Sequence, residues 1–225
     1  KTYVIASDGD LMEGISHESM SLAGHLKLKD LIVFFDNNKI SIDGSTSLSV
    51  SDDYKKRFQS YGWNFLEVNG HNEKQINNAI KKAHKSKKPT LISCKTIIGF
   101  GSPNKSGKSS SHGAPLGEDE IKLVRKKLKW PHQPFEIPDE IIKEWRQIGA
   151  KGEELEKSWL NELNKSKSEI KEKFNHLNNT LLKDKLNELI SSEKEKYFKD
   201  RPTMATRQCS MKVIEALNNL MPNLV

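Results

Sequence analysis

The sequence predicts an α/β fold: part of a parallel-sheet domain, a helical linker, and the start of a second α/β domain. Three observations predict it. In the first part of the chain, short β-branched and aromatic runs alternate with segments of helical spacing. From about Glu140 to Tyr197 the chain is rich in Lys, Glu and Asn and carries no strand signal. Past Pro202 an amphipathic pattern returns. Alternating β and α elements imply a mostly parallel sheet with helices on its faces.

Tyr3-Val4-Ile5-Ala6 reads as a short buried strand and Ser7-Asp8-Gly9-Asp10 as a turn. Glu13 to Leu26 places Ile15, Met20, Leu22, Ala23 and Leu26 at helical spacing. Leu31-Ile32-Val33-Phe34-Phe35 is a second strand, broken by Asp36-Asn37-Asn38. A strand, a crossover helix and a strand imply a parallel pair with a right-handed connection. The pattern repeats with a strand at Asn64 to Val68, a helix at Glu73 to Lys85 and a strand at Thr90 to Ile98. In that helix Ile76, Ala79, Ile80 and Ala83 face inward. Gly99 to Gly117 is a Gly/Ser/Pro-rich loop, and loops of such length inside a domain are usually functional or disordered. Glu118 to Leu128 is a helix, and Trp130 to Pro138, with three prolines, a connector. Thr203 to Leu220 supplies a cap residue and then a helix with Val213, Ile214 and Leu217 on one side. The domains are therefore expected at 1–130, a mostly helical linker at 131–201, and the opening of the second domain at 202–225.

Composition removes several partners. The longest apolar run, Leu31 to Phe35, falls far short of the roughly 18 residues of a membrane helix, so no membrane is expected. The net charge of +7 raises nucleic acid as a partner. However, the lysines between Lys151 and Lys196 alternate with Glu, which suits helix-surface ion pairs, and aromatics are not interleaved with the basic runs. No nucleic acid is expected. Cys94 and Cys209 form no C-x-x-C pair and suggest no disulfide framework. The chain opens at Lys1-Thr2-Tyr3 without Met or a signal-like apolar segment, so it is expected to start inside a domain and to be cytoplasmic.

Asp8 and Asn38 each follow a predicted parallel strand, and open parallel sheets bind ligands at the carboxyl ends of their strands. One anionic and one neutral oxygen donor, completed by phosphate and water, suit magnesium. Gly9 would let the backbone approach a phosphate closely. On these residues alone the alternative stands that Asp8 caps a helix and Asn38 is ordinary turn chemistry. Gly107-Lys108-Ser109 is not a P-loop, because five residues instead of four separate Gly101 from Gly107 and no helix follows. His17-Glu18 lacks the second histidine of a zinc helix, and no Gly-x-Ser-x-Gly elbow is present.

Asp8-Gly9, Glu18, Ala23 and Asn37-Asn38 match the spacing of the thiamine-diphosphate signature, which runs Gly-Asp-Gly, then Glu and Ala on a helix, then paired Asn. Longer strings narrow the match. Asp8 to Glu18, Ser21 to Leu28, Ile40 to Gly44, Lys95 to Ser102, Ser111-His112-Gly113-Ala114-Pro115-Leu116-Gly117, Pro134 to Pro138 and Ala205-Thr206-Arg207 all resemble segments of transketolases. The resemblance covers essentially the whole chain and is weakest between about Gly149 and Pro202. It implies that the first domain is part of a thiamine-diphosphate-binding domain and that 202–225 opens the pyrimidine-binding domain. It also implies an internal fragment lacking both chain ends.

By that resemblance, Asp8, Asn38 and the main-chain carbonyl of Ile40 are magnesium ligands. Gly9 and Asn38 contact thiamine diphosphate, and His112 reaches both the diphosphate and the substrate, where it is the catalytic histidine. Arg207 grips a sugar phosphate, a task that suits a guanidinium fork. Glu13 resembles a carboxylate near the subunit interface, although a solvated first-turn residue explains it equally. The family has Gly where this chain has Ser7: with φ > 0 Ser would be strained, and otherwise its hydroxyl can cap the turn. The implied activity is transfer of a two-carbon ketol unit from a ketose phosphate to an aldose phosphate, in the pentose phosphate pathway, by a homodimer whose site lies between two identical subunits. The isolated chain is accordingly expected to be inactive. The alternatives are a related thiamine enzyme (dihydroxyacetone synthase or a deoxyxylulose-phosphate synthase) and a non-catalytic basic binding module. The Ser111 to Gly117 string and Arg207 favour transketolase over the synthase of deoxyxylulose phosphate.

Overall fold

Four parallel strands make the sheet, in the order β1 (Thr2–Ser7), β2 (Leu31–Asn37), β6 (Thr90–Lys95), β5 (Asn64–Asn69). The computed structural model describes residues 1–175 and 180–221. It divides into two compact units, Lys1–Pro134 and Phe135–Val225, and the sheet lies in the first.

Strands β2 and β6 are central, which is why their sequences read as continuous apolar runs. Their side chains alternate between two cores. On one face Val33, Phe35 and Leu91 pack with Leu11, Phe58 and Trp63. On the other Ile32 and Ile92 pack with Val68, Ala79 and Ala83. A pleated strand changes face at every residue, so one strand serves both layers. Register aligns Val4 with Val33, Val33 with Leu91 and Leu91 with Phe65.

The helices of this unit are α1 (Asp8–Met12), α2 (Gly14–His25), α3 (Tyr54–Ser60), α4 (Glu73–Lys85) and α5 (Glu118–Lys127). Helix α4 has the predicted bounds, with Ala79 and Ala83 buried and Ile76 and Ile80 partly buried against them. A two-strand hairpin, β3 (Ile40–Ser41) with β4 (Gly44–Ser45), follows β2.

Several details differ from the sequence reading. First, β1 is not buried: Tyr3, Val4 and Ile5 are exposed, Ile5 at 82%. It is an edge strand, paired among the described residues to β2 alone, and composition does not separate an edge from a centre. Second, Ser7 to Asp10 is not an open turn but the capped start of α1. Third, α2 buries Ala23 and Gly24 but exposes Ile15, Leu22 and Leu26. The helix is drawn in on its small residues: a Cβ on Gly24 would lie 1.8 Å from the Tyr61 carbonyl oxygen, so only glycine allows this approach. Fourth, β6 ends at Lys95 rather than Ile98, and α3, which the sequence reading lacks, is capped by Asp53, whose side chain accepts the Lys56 N–H at 3.0 Å.

The second unit is helical: α6 (Asp139–Lys165), α7 (Ser168–Asn175), α8 (Thr180–Asp200) and α9 (Thr206–Leu220). Lys157–Glu153 and Lys165–Glu162 ion pairs run along α6, as the Lys/Glu alternation implies. Ala205, not Thr203, caps α9; its N–H donates to Gln208 Oε1 at 3.0 Å. The readings that fall on residues 176–179 and 222–225 lie outside the described residues. Among the described residues, no helix is long and apolar enough to cross a membrane, and both cysteines are free, Cys94 buried and Cys209 exposed.

Candidate functional site

Strands β1 and β2 end side by side, with Ser7 opposite Asp36. Asp8 and Asn38, each one residue beyond the end of its strand, therefore stand at the same carboxyl edge of the sheet. Ser7 has φ −97° and ψ 176°, an extended conformation open to any residue, so serine is not strained here. Its hydroxyl donates to Asp10 Oδ2 at 2.8 Å, and its N–H donates to the same oxygen at 2.7 Å. The reciprocal Asp10 N–H to Ser7 Oγ bond, at 3.4 Å, closes a capping box. Asp10 is held below the usual carboxylate range by the Ser7 N–H and then by the Ser7 hydroxyl.

Asp8 is only 2% exposed, and neither carboxylate oxygen has a hydrogen-bond partner. Burial pushes its carboxyl up; the Lys39 charge and main chain pull against this, Asp36 adds repulsion, and the Asn38 main chain pulls weakly down. A buried, unpaired carboxylate is expensive, and a cation is the partner that offsets the cost. The residues present thus fit a divalent metal ion.

Asn38 is set by a tight turn. Its Oδ1 accepts the Ile40 N–H at 2.8 Å, and its Nδ2 donates to Asp36 Oδ2 at 3.4 Å. Asp36 also accepts the Thr96 hydroxyl. Lys39, between Asn38 and Ile40, has φ +64°. An amide oxygen with one acceptor site used keeps a second lone pair. Asp8 carboxylate, Asn38 amide and Ile40 carbonyl together offer hard oxygens of the kind magnesium takes. Among the described residues, no three His, Cys, Asp or Glu side chains gather as a metal cluster, and this donor set needs only one carboxylate. Gly9 is the second residue of α1, and a Cβ there would meet only Ser7 Oγ at 3.9 Å, so packing does not require glycine at this end of the helix.

The loop after β6 is fastened at both ends. At its start, the His71 ring accepts the Ile97 N–H on Nε2 at 3.0 Å and stacks on Phe100, centroids 4.0 Å apart. Further on, buried Glu120 accepts the Ser102 hydroxyl, the Asn104 N–H at 2.8 Å and the Asn104 side-chain amide at 2.9 Å. The Ser102 hydroxyl first, then the Asn104 groups, hold the Glu120 carboxyl down to about 2. Lys105 Nζ donates to the Leu116 carbonyl at 2.8 Å, closing the loop around His112. His112 is exposed, its N–H donates to Ser109 O at 2.8 Å, and Gly113 follows at φ +70°.

Of the expected site residues, Asp8, Gly9 and Asn38 thus lie at the same carboxyl edge, Ile40 opens the hairpin two residues after Asn38, and His112 lies on the loop leaving β6. Arg207 is exposed in the first turn of α9, in the second unit. Glu13 is the N-cap of α2 but makes no side-chain cap bond. Sequence reasoning misses Lys39, Tyr54, His71 and Glu120. The Asn-Asn-Lys turn and the Asp53 cap before Tyr54 are the only local signals for the first two.

Residues 1–186 match the family described as transketolase, thiamine diphosphate binding domain. A transketolase of Buchnera aphidicola (subsp. Acyrthosiphon pisum) is 44% identical over 100% of this chain and 34% of its own length. Transketolase 2 of Escherichia coli K12 is likewise 44% identical, over 100% of this chain and 34% of its own length. The crystal structure of the Campylobacter jejuni transketolase superposes with a TM-score of 0.76 at 39% identity, covering 82% of this chain and 29% of that one. A Pichia stipitis transketolase in complex with sedoheptulose-7-phosphate gives 0.68 at 41% identity, covering 78% of this chain and 26% of that one. The chain spans about a third of the length of the curated relatives it matches. With the family match over most of its length and solved transketolases similar to it at this identity, the chain belongs to the transketolase family through its thiamine diphosphate-binding domain.

Proposed function

We propose that the chain forms the diphosphate- and magnesium-binding part of a transketolase that moves a two-carbon ketol unit from a ketose phosphate to an aldose phosphate. The observation that carries the metal reading is Asp8, a buried carboxylate with both oxygens unpartnered at the carboxyl edge of a parallel sheet. Family membership supports the chemistry, as does the Pichia stipitis relative in complex with sedoheptulose-7-phosphate. When bound, thiamine diphosphate supplies an electron sink at the donor's carbonyl carbon.

This chain's residues would bind and orient. Asp8, Asn38 and the Ile40 carbonyl hold magnesium. Gly9 leaves the main chain of α1 open toward the diphosphate. His112, on a loop pinned by Glu120 and His71, presents ring nitrogens to the diphosphate and to a sugar oxygen, where it can steady developing charge. Arg207 offers a bidentate fork to a sugar phosphate. A second identical subunit completes the site, neither nucleic acid nor a membrane takes part, and the location is cytoplasmic. The 225 residues alone are proposed not to turn over.

The test is product analysis with the longest natural form of the protein, a ketose phosphate donor and an aldose phosphate acceptor. The reading expects an acceptor lengthened and a donor shortened by two carbons, lost on removing magnesium. Transfer undiminished in Asp8→Ala would contradict it.

A further inference from the structure

Asp8 is not the only orphaned group near the turn. Tyr54, the first residue of α3, is 7% exposed, and its hydroxyl is buried without a hydrogen-bond partner. Its ring is well held, packing on Phe35 with centroids 4.8 Å apart. The Lys39 ammonium lies 5.8 Å from its centroid and the Arg57 guanidinium 5.7 Å. Lys39 sits between Asn38 and Ile40 in the left-handed region, where a non-glycine residue persists only if its surroundings hold it. The aromatic face under its ammonium is such a hold. Tyr54 packs in the same core cluster as Ala6 and Leu11, which lie on either side of Asp8 in the chain; burial raises its phenol, and the Asp8 charge raises it further.

We propose that Tyr54 is a positioning residue of the metal site: its ring steadies the Asn38–Ile40 turn through Lys39, and its hydroxyl takes a hydrogen bond from water carried by a divalent cation on Asp8. Two buried polar groups without partners, Asp8 and Tyr54, are costly apart, and a hydrated cation satisfies both. Magnesium keeps several of its waters, and those waters need acceptors around them. Groups of this outer kind orient the ligands and tune metal affinity. The inference rests on the metal reading of Asp8.

The experiment uses the longest natural form of the protein with thiamine diphosphate present, and titrates Mn2+ by electron paramagnetic resonance. Tyr54→Phe keeps the ring under Lys39 and removes only the hydroxyl. The expected result is an Mn2+ affinity weakened about tenfold, with the thermal midpoint of the metal-free protein unchanged or raised, because an unsatisfied hydroxyl is gone. Affinity within about twofold of the unsubstituted protein would overturn the role of Tyr54 and leave the metal reading intact. A lower metal-free midpoint that accounts for the lost affinity would assign Tyr54 to packing and overturn it as well. Absence of Mn2+ binding by the unsubstituted protein would overturn the metal reading and this inference together.

Discussion

Ser7 and Asp10 cap α1 reciprocally, the Ser7 N–H and hydroxyl both donating to Asp10 Oδ2, at 2.7 and 2.8 Å. This box fixes the first turn of the helix that begins with Asp8. Replacing Ser7 by Ala removes the side-chain half and should cost about 1 kcal/mol in chemical denaturation, whereas Gly should cost only a few tenths. Because Ser7 is unstrained, Ser7→Gly should leave thiamine diphosphate affinity within about tenfold, or roughly 1.4 kcal/mol. Tighter binding than that would mean the serine obstructs the site.

Gly24 sets α2 against the main chain of Tyr61, just before β5. With an added Cβ 1.8 Å from a main-chain oxygen, Gly24→Ala forces the helix away. The expected loss is about 3 kcal/mol or more, at the upper end for overpacked cores. A loss below about 1 kcal/mol would show that the helix shifts freely.

Glu120 makes the loop sensitive to acid. Its carboxyl is held at about 2 against an ordinary 4.5, chiefly by the Ser102 hydroxyl. A depressed carboxylate contributes stability above its unfolded value, here 4.5, and loses it as pH falls toward about 2. Hydrogen exchange of the Asn104 amide should therefore accelerate, relative to the intrinsic rate, as pH drops through that window. Glu120→Gln should expose the amide already at neutral pH. Equal protection in the variant would mean the carboxylate does not hold the loop.

Asp8 is a liability to the metal-free fold. Asp8→Asn removes a buried charge that no hydrogen bond satisfies, and should raise the metal-free stability by about 1–3 kcal/mol. A decrease would show that the carboxylate has a protein partner in solution.

Particular residues show what a sequence makes legible. The central strands announce themselves because Ile32, Val33, Ile92 and Leu91 are buried on both faces. Asp8 and Asn38 are legible as a pair because each closes a strand, and parallel strands deliver their ends to one edge. The exposure of Tyr3 and Ile5 is not legible, since edge and centre share one vocabulary of residues. Helix α3 hides because only Tyr54 and Phe58 carry its apolar side among charged neighbours. The closeness of Tyr54 to Lys39, and of Glu120 to Asn104, depends on long-range chain paths that no local pattern encodes.

The most direct measurement is a titration of thiamine diphosphate into the longest natural form of the protein, with and without magnesium, for the unsubstituted protein and Asp8→Ala. Binding that requires magnesium and disappears in Asp8→Ala is the predicted result. Binding that ignores both magnesium and Asp8, or no binding by a folded full-length protein, would contradict the assignment of this edge of the sheet as the cofactor site.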